Sequence, residues 1–186
     1  PLAPRRGEMT PLRGKLIGAV VIVALLVPTR APAYSVLTHE ATIDTVWDVA
    51  IKPLLLARYP NTSVAELNAA RAHAYGGSVI HDLGYYPFGS KLFSNLLHYV
   101  RAGDFVEALI GNANDVNELA FALGALSHYA SDNMGHPVAT NRAVPMIYPK
   151  MRQEFGPIVT YEDSPKRHIL VEFSFDVVHV AAGVYA

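Results

Sequence analysis

LAFALGALSHYASDNMGHP, residues 119–137, decides the fold. From Leu119 to Ser131 it has no charged side chain, and its Ala and Leu residues fall on every side of a helical wheel. A helix that is apolar all round belongs in the middle of a domain. Yet its C-terminal part carries His128 and Asp132, four residues apart and so on one face. His136 follows just past Gly135. A buried carboxylate must be paired or bind a metal, because an uncompensated interior charge costs several kcal/mol. This helix is therefore expected to carry part of a metal site on which other segments converge.

Outward from it, helical patterns dominate. Thr38 reads as the N-cap of a helix carrying Ile43, Val46, Trp47 and Ala50, which Pro53 ends or kinks. Ser63 and Glu66 form a capping box for a helix from about Val64 to Tyr75, stopped by Gly76-Gly77. HDLGYYPFGS (81–90) reads as a loop, and SNLLHYVRAGD (94–104) as a short helix ending at Gly103. Asp104 is expected to cap the next helix, to about Ile110, and Asn112 to Asp115 to turn into the central one. Pro137, Pro145, Pro149 and Pro157 mark an irregular segment with a short helix near Ile147 to Glu154. Ser164-Pro165 opens a last helix, in which His168 and Glu172 sit four apart. No stretch alternates with period two for long. The expected fold is all-α, a single-domain helical bundle without repeats.

Residues 1–33 read as a targeting segment. Arg13 and Lys15 precede the apolar run Leu16 to Val27, and Ala31-Pro32-Ala33 supplies the small residues of a cleavage site. The run is short for a membrane span. The expectation is a signal peptide (or an uncleaved N-terminal anchor through residues 16–27), an exported body, periplasmic or secreted, and a mature chain beginning at Tyr34. The helical domain would then be 34–186, with a C-terminus that stops soon after the last candidate ligand.

There are no cysteines, which excludes disulfides and thiolate metal sites. Any zinc must be held by His, Asp and Glu, the ligand set of catalytic sites. Beyond residue 33, ten basic residues face fifteen acidic ones, a net of −5. An acidic body is a poor match for a nucleic-acid backbone, and two or three bound dications would largely cancel the deficit.

Each candidate ligand alone has an ordinary explanation as a packed histidine or a local helix pair. The argument lies in the joint pattern: two helices each presenting His-x3-acid, His136 just beyond the first, and Asp82 and His98 on a separate hairpin. The ordered set His39, Asp82, His98, His128-x3-Asp132, His136, His168-x3-Glu172 resembles the ligand series of the bacterial zinc-dependent phospholipase C family, with HYASD and HILVE its most specific pieces. The resemblance covers essentially all of residues 34–176. It implies an all-helical domain with a trinuclear metal cleft and up to three Zn2+ ions. Asp82, His98, His128 and Asp132 would hold one zinc, and His136, His168 and Glu172 a second. His39, a bridging Asp132 and the amine and carbonyl of Tyr34 would hold the third. The family's best-known toxins begin with Trp rather than Tyr, and have more than three residues between the ligands matching Asp132 and His136.

The implied activity is phosphodiester hydrolysis of phospholipid head groups by a metal-activated water, with Asp82 doubling as ligand and base. His81 is a candidate supporting residue behind the ligands. Ser131, Asn133 and Asn141 are near enough in sequence to orient imidazoles. Tyr85, Tyr86, Phe88 and Tyr99 are candidates for an apolar wall, and His73 and His179 read as structural. The expected partner is a phospholipid or other phosphodiester, with neither nucleic acid nor a protein partner favoured. Two alternatives stay open: a single-strand nuclease of the related fungal zinc type, and a non-catalytic helical domain with a degenerate site. No amphipathic basic helix points to a membrane surface.

Overall fold

The computed structural model describes residues 36–183. The targeting segment and Tyr34 lie outside the described residues. Within them the regular elements are α1 (Val36–Val46), α2 (Lys52–Arg58), α3 (Val64–Val79), α4 (Lys91–Tyr99), α5 (Ala102–Asn112), α6 (Val116–Gly135), α7 (Asn141–Ile147), α8 (Pro149–Phe155) and α9 (Pro165–Ala181). The fold is all-α, as expected. No described helix is long and apolar enough to cross a membrane.

The central stretch is α6. Asp115 caps it, accepting from the amides of Asn117 and Glu118 at 2.8 Å each. Its longest contact is with α3, and α1, α2 and α5 also touch it. The main core lies here. Ile43, Leu55, Ala70, Ala74 and Ala120 are fully buried, with Trp47, Leu67, Leu119 and Leu123 around them. Fully burying an Ile or Leu stabilises the fold by about 1.5–3 kcal/mol.

Gly76-Gly77 does not stop α3, which runs on to Val79. The glycines serve packing instead. A Cβ on Gly77 would lie 1.9 Å from the Phe121 carbonyl oxygen, and one on Gly124 would lie 2.0 Å from the Ala74 carbonyl oxygen. The two backbones touch only because neither residue has a side chain. The extra turn of α3 brings Ser78 under the site.

Two prolines are absorbed rather than breaking the chain. Before Pro53 the chain makes a π-helical turn, Trp47–Ile51, so the proline kinks the helix into α2. After Gly135 it makes another, His136–Thr140, and continues into α7, so 136–147 is helical where an irregular segment was expected. Pro145 lies inside α7, where it cannot donate to the Asn141 carbonyl. The Val159 amide donates to that oxygen instead, at 2.9 Å. α7 and α9 pack around a much smaller core of Val144, Val159 and Val171.

Two other boundaries differ from expectation. α4 ends at Tyr99, and α5 starts at Ala102 with Asp104 in its first turn rather than at its cap. Arg101 stands between them in the left-handed region (φ 55°), its guanidinium paired with Asp104. Phe88, before α4, has φ 69°. Such backbone costs about 1–3 kcal/mol for a residue with a side chain. Thr38 is also not a cap. α1 already includes Val36 and Leu37, and its first described turn is met from across the molecule by Asp176 of α9. That buried carboxylate accepts from the amides of Leu37 (3.3 Å) and Thr38 (3.1 Å) and from the Thr38 hydroxyl (2.7 Å).

Candidate metal centre

Four helices and two turns deliver the candidate residues. α1 brings His39, the turn after α3 brings His81 and Asp82, and α4 brings His98. The last two turns of α6 bring His128 and Asp132. His136 follows at the start of the π-helical turn, one turn beyond Asp132 and on its face. α9 brings His168 and Glu172. All are buried or nearly so, with His128, His168 and Asp82 at 0 % exposure.

Asp132 is the hub. Its Oδ1 lies 3.5 Å from His39 Nε2 and 3.3 Å from His136 Nε2. Its Oδ2 lies 3.2 Å from His128 Nε2 and 3.5 Å from His98 Nε2. One carboxylate thus turns its two oxygens to two different imidazole pairs. Asp82 Oδ1 approaches His98 Nε2 at 3.2 Å. On the far side, Glu172 Oε1 lies 3.2 Å from His168 Nδ1 and 3.3 Å from His136 Nδ1. Three groups result, each with its donor atoms within 4.8 Å of one another: His39, His128 and Asp132; Asp82, His98 and His128; His136, His168 and Glu172.

The outer nitrogens show which lone pairs face inward. His128 Nδ1 lies 2.7 Å from the Ser78 carbonyl, and His98 Nδ1 lies 2.8 Å from the Ser94 carbonyl. A carbonyl only accepts, so these nitrogens carry protons and each Nε2 faces the group, a lone pair whenever its imidazole is neutral. His168 is reversed: Nε2 donates to Asn141 Oδ1 at 2.8 Å, which leaves Nδ1 free. His168 Nδ1, Asp132 Oδ2, both oxygens of Asp82 and Glu172 Oε2 are buried with no hydrogen-bond partner. Orphans of this kind cost about 1–3 kcal/mol each unless something occupies the space between them.

Charge follows the same geometry. Burial pushes Asp132 up, but His128, His136 and His98 override it and hold the carboxyl well below the usual range. Burial would lower His98; Asp132 and Asp82 outweigh it and raise the imidazole to about 10. Burial is likewise overridden by Asp132 at His128 and His136, which are raised. Burial, with repulsion from His128, takes His39 down to about 4. His81 falls to about 3 for the same reasons, with His98 adding to the repulsion.

The match to known families covers this whole region. The family model for zinc dependent phospholipase C matches residues 38–184. The chain belongs to the zinc-dependent phospholipase C family. No curated protein and no solved structure matches it significantly.

In this zinc-dependent phospholipase C domain the metal groups open into a cleft of about 310 Å3. Tyr99 and Glu162, both exposed, and the half-buried Tyr129 and Tyr161 are among the lining residues nearest solvent and mark its mouth, and no described Lys or Arg lines it. Of the expected wall, Tyr99 lines the cleft. Tyr85 is buried, with its hydroxyl donating to Asn95 Oδ1 at 3.0 Å. Phe88 points into solvent and lines no part of the cleft. His81 stacks on His128 with ring centroids 4.4 Å apart and meets Phe105 edge-on, and both its nitrogens are unpartnered. Of the three orienting candidates, Asn141 holds His168; Asn133 bonds only the Tyr129 carbonyl in its own helix. The sequence reading missed Asp176, Tyr129, Tyr161 and Glu162. Asp176 had a signal, since His168, Glu172 and Asp176 recur every four residues on one face of α9.

Proposed function

We propose that this domain is an exported zinc-dependent phosphodiesterase that hydrolyses phospholipid head groups in the phospholipase C manner. The observation that carries the reading is the convergence of buried imidazole nitrogens and carboxylate oxygens into three groups, with several of those oxygens and nitrogens left without a hydrogen-bond partner. Imidazoles and carboxylates gathered at 3.2–3.5 Å could share a cation in place of protons, and a donor set of imidazoles and carboxylates without thiolate suits Zn2+ at a catalytic site.

We assign Asp82, His98, His128 and Asp132 to one ion and His136, His168 and Glu172 to a second. A third would take His39, the other oxygen of Asp132, and the amine and carbonyl of Tyr34 after cleavage behind Ala33. When bound, the ions would polarise the phosphoryl oxygens, offset charge on the leaving oxygen and lower the pKa of a water. The chain's own residues do the rest. Ser78, Ser94 and Asn141 fix the imidazole tautomers. Asp82 turns Oδ1 to the imidazoles and keeps Oδ2 without a partner, so it has a lone pair with which to take the water's proton. The tyrosines at the mouth give the head group a wall. A lining without Lys or Arg favours a lipid head group over a polyanion such as single-stranded DNA.

The test is zinc counting on the purified protein beside hydrolysis of a phosphatidylcholine analogue. Bound zinc, and phosphocholine release that a chelator abolishes and zinc restores, are expected. A fully folded protein that takes up no zinc would overturn the reading.

A further inference from the structure

We propose that the exposed face of α4, with the loop before it, is a docking surface for a phospholipid bilayer and holds the cleft mouth against the membrane. The inference rests on the phospholipid reading of the cleft.

α4 has two faces. Ser94, Leu97 and His98 point inward, and Leu97, His98 and Tyr99 line the cleft. Leu92 and Leu96, four apart, form an outward stripe, with Leu92 at 69 % exposure, and Val100, just past the helix end in extended backbone, is exposed as well. Phe88 precedes the stripe at 103 % exposure, with no described residue covering its ring. With Phe88, the stripe therefore begins at a fully solvated aromatic and ends beside Tyr99 at the cleft mouth.

Phe88 is presented by a rigid loop. Ser94 Oγ accepts from the Gly84 amide at 2.8 Å, and the Gly89 amide donates to the Tyr86 carbonyl at 2.9 Å. A Cβ on Gly89 would lie 2.3 Å from the Leu83 carbonyl oxygen, so the turn is as tight as the backbone permits. The two non-glycine residues with left-handed backbone among the described residues, Phe88 and Arg101, bracket α4. An aromatic held outward on strained backbone gains nothing in water and gains burial in an apolar phase.

Size and substrate chemistry select the occupant. A cleft of about 310 Å3 is at the lower limit for a small ligand. It takes a head group and leaves no room for two acyl chains. Those chains stay in the bilayer while the phosphodiester reaches His98, so whatever flanks the mouth meets lipid. The surface that flanks it through Tyr99 is this stripe, and its charged neighbour Lys91 suits phosphate head groups.

The experiment compares the zinc-loaded wild type with the double variant Phe88→Ser/Leu92→Glu, both positions being exposed and outside the cleft. Binding is read by flotation with vesicles of a phosphonate phosphatidylcholine that cannot be cleaved. Turnover is read on a soluble short-chain phosphatidylcholine and on long-chain phosphatidylcholine vesicles. Expected is a loss of about tenfold or more in flotation and in vesicle turnover, with soluble turnover within about twofold of wild type. Equal flotation of the two proteins overturns the proposal. So does an equal fall on both substrates, or a wild-type dimer in sedimentation that the variant dissociates. If neither protein turns over any lipid but flotation still drops in the variant, the docking surface stands and the phospholipase reading fails.

Discussion

The half of the domain built from α1, α2, α3 and α6 and the half built from α7, α8 and α9 are held together differently. The first has a continuous apolar core around Ile43, Leu55 and Ala120, sealed by the Gly77–Gly124 approach. The second has three core valines, and polar contacts tie it to the first: the Asp176 cap on α1, and His136 standing between Asp132 and Glu172. The first half buries most of the described apolar core. The second half needs whatever quiets the buried charges between them. The candidate group of His136, His168 and Glu172 thus lies at a seam, and metal loading there and the order of α7–α9 should rise and fall together.

Chelation is the broadest test of that contrast. Stripping zinc should raise hydrogen exchange in α7–α9 while α3 and the N-terminal half of α6 stay protected; equal deprotection of both halves would refute the contrast. Among point changes, His128→Ala should act most strongly. It leaves Asp132 and Asp82 buried with one partner fewer, so stability should fall by about 3–5 kcal/mol along with activity. Wild-type turnover in that variant would remove His128 from the site. Gly124→Ala probes the apolar half. Its methyl meets a backbone carbonyl, and denaturation should show a loss of about 1–3 kcal/mol with zinc stoichiometry unchanged.

Asn141→Ala should weaken zinc at the His136–His168–Glu172 group by about 10–100-fold in a competitive chelator titration, because His168 loses the bond that fixes its tautomer. Asp176→Ala removes the cap on α1 and should lower stability by about 1–2 kcal/mol, with faster exchange at Leu37 and Thr38.

The smallest effect concerns pH in the metal-stripped protein. His39 and His81 titrate below their ordinary value, near 4 and 3, so their contribution is present above about pH 6.5 and lost as pH falls towards those values. His98 titrates near 10, so its contribution is present below about 6.5 and lost as pH rises through 10. Denaturation midpoints should therefore peak close to neutrality and fall on both sides. A flat profile from pH 4 to 10 would contradict the burial of these imidazoles.

Much of this was legible in the residues themselves. An uncharged run of Ala and Leu had to be central, and α6 is. His-x3-acid on a helix had to share a face, and both pairs do, because 3.6 residues per turn leaves no choice. The order of ligands along the chain carried the family, which the match over residues 38–184 bears out. Local signals failed where a distant partner overrode them. Gly76-Gly77 reads as a helix stop until Phe121 and Ala125 of α6 are seen pressed against that backbone. Pro145 reads as a breaker until Val159 supplies the missing donor. Thr38 reads as a cap, yet the cap comes from Asp176, 138 residues away.

Composition and periodicity alone thus determined that the chain is helical and which helix is innermost, since those depend only on spacing and on the energy of leaving water, while the candidate metal ligands came from the order of histidines and acids that resembles the family. Tertiary structure decided which imidazole nitrogen faces inward, which oxygen of Asp132 serves which pair, and that Phe88 stands outside the cleft rather than in its wall. Those outcomes depend on where the Ser78, Ser94 and Asn141 acceptors and the Gly89 turn come to rest, and such positions are set by packing between elements rather than by spacing along any one of them.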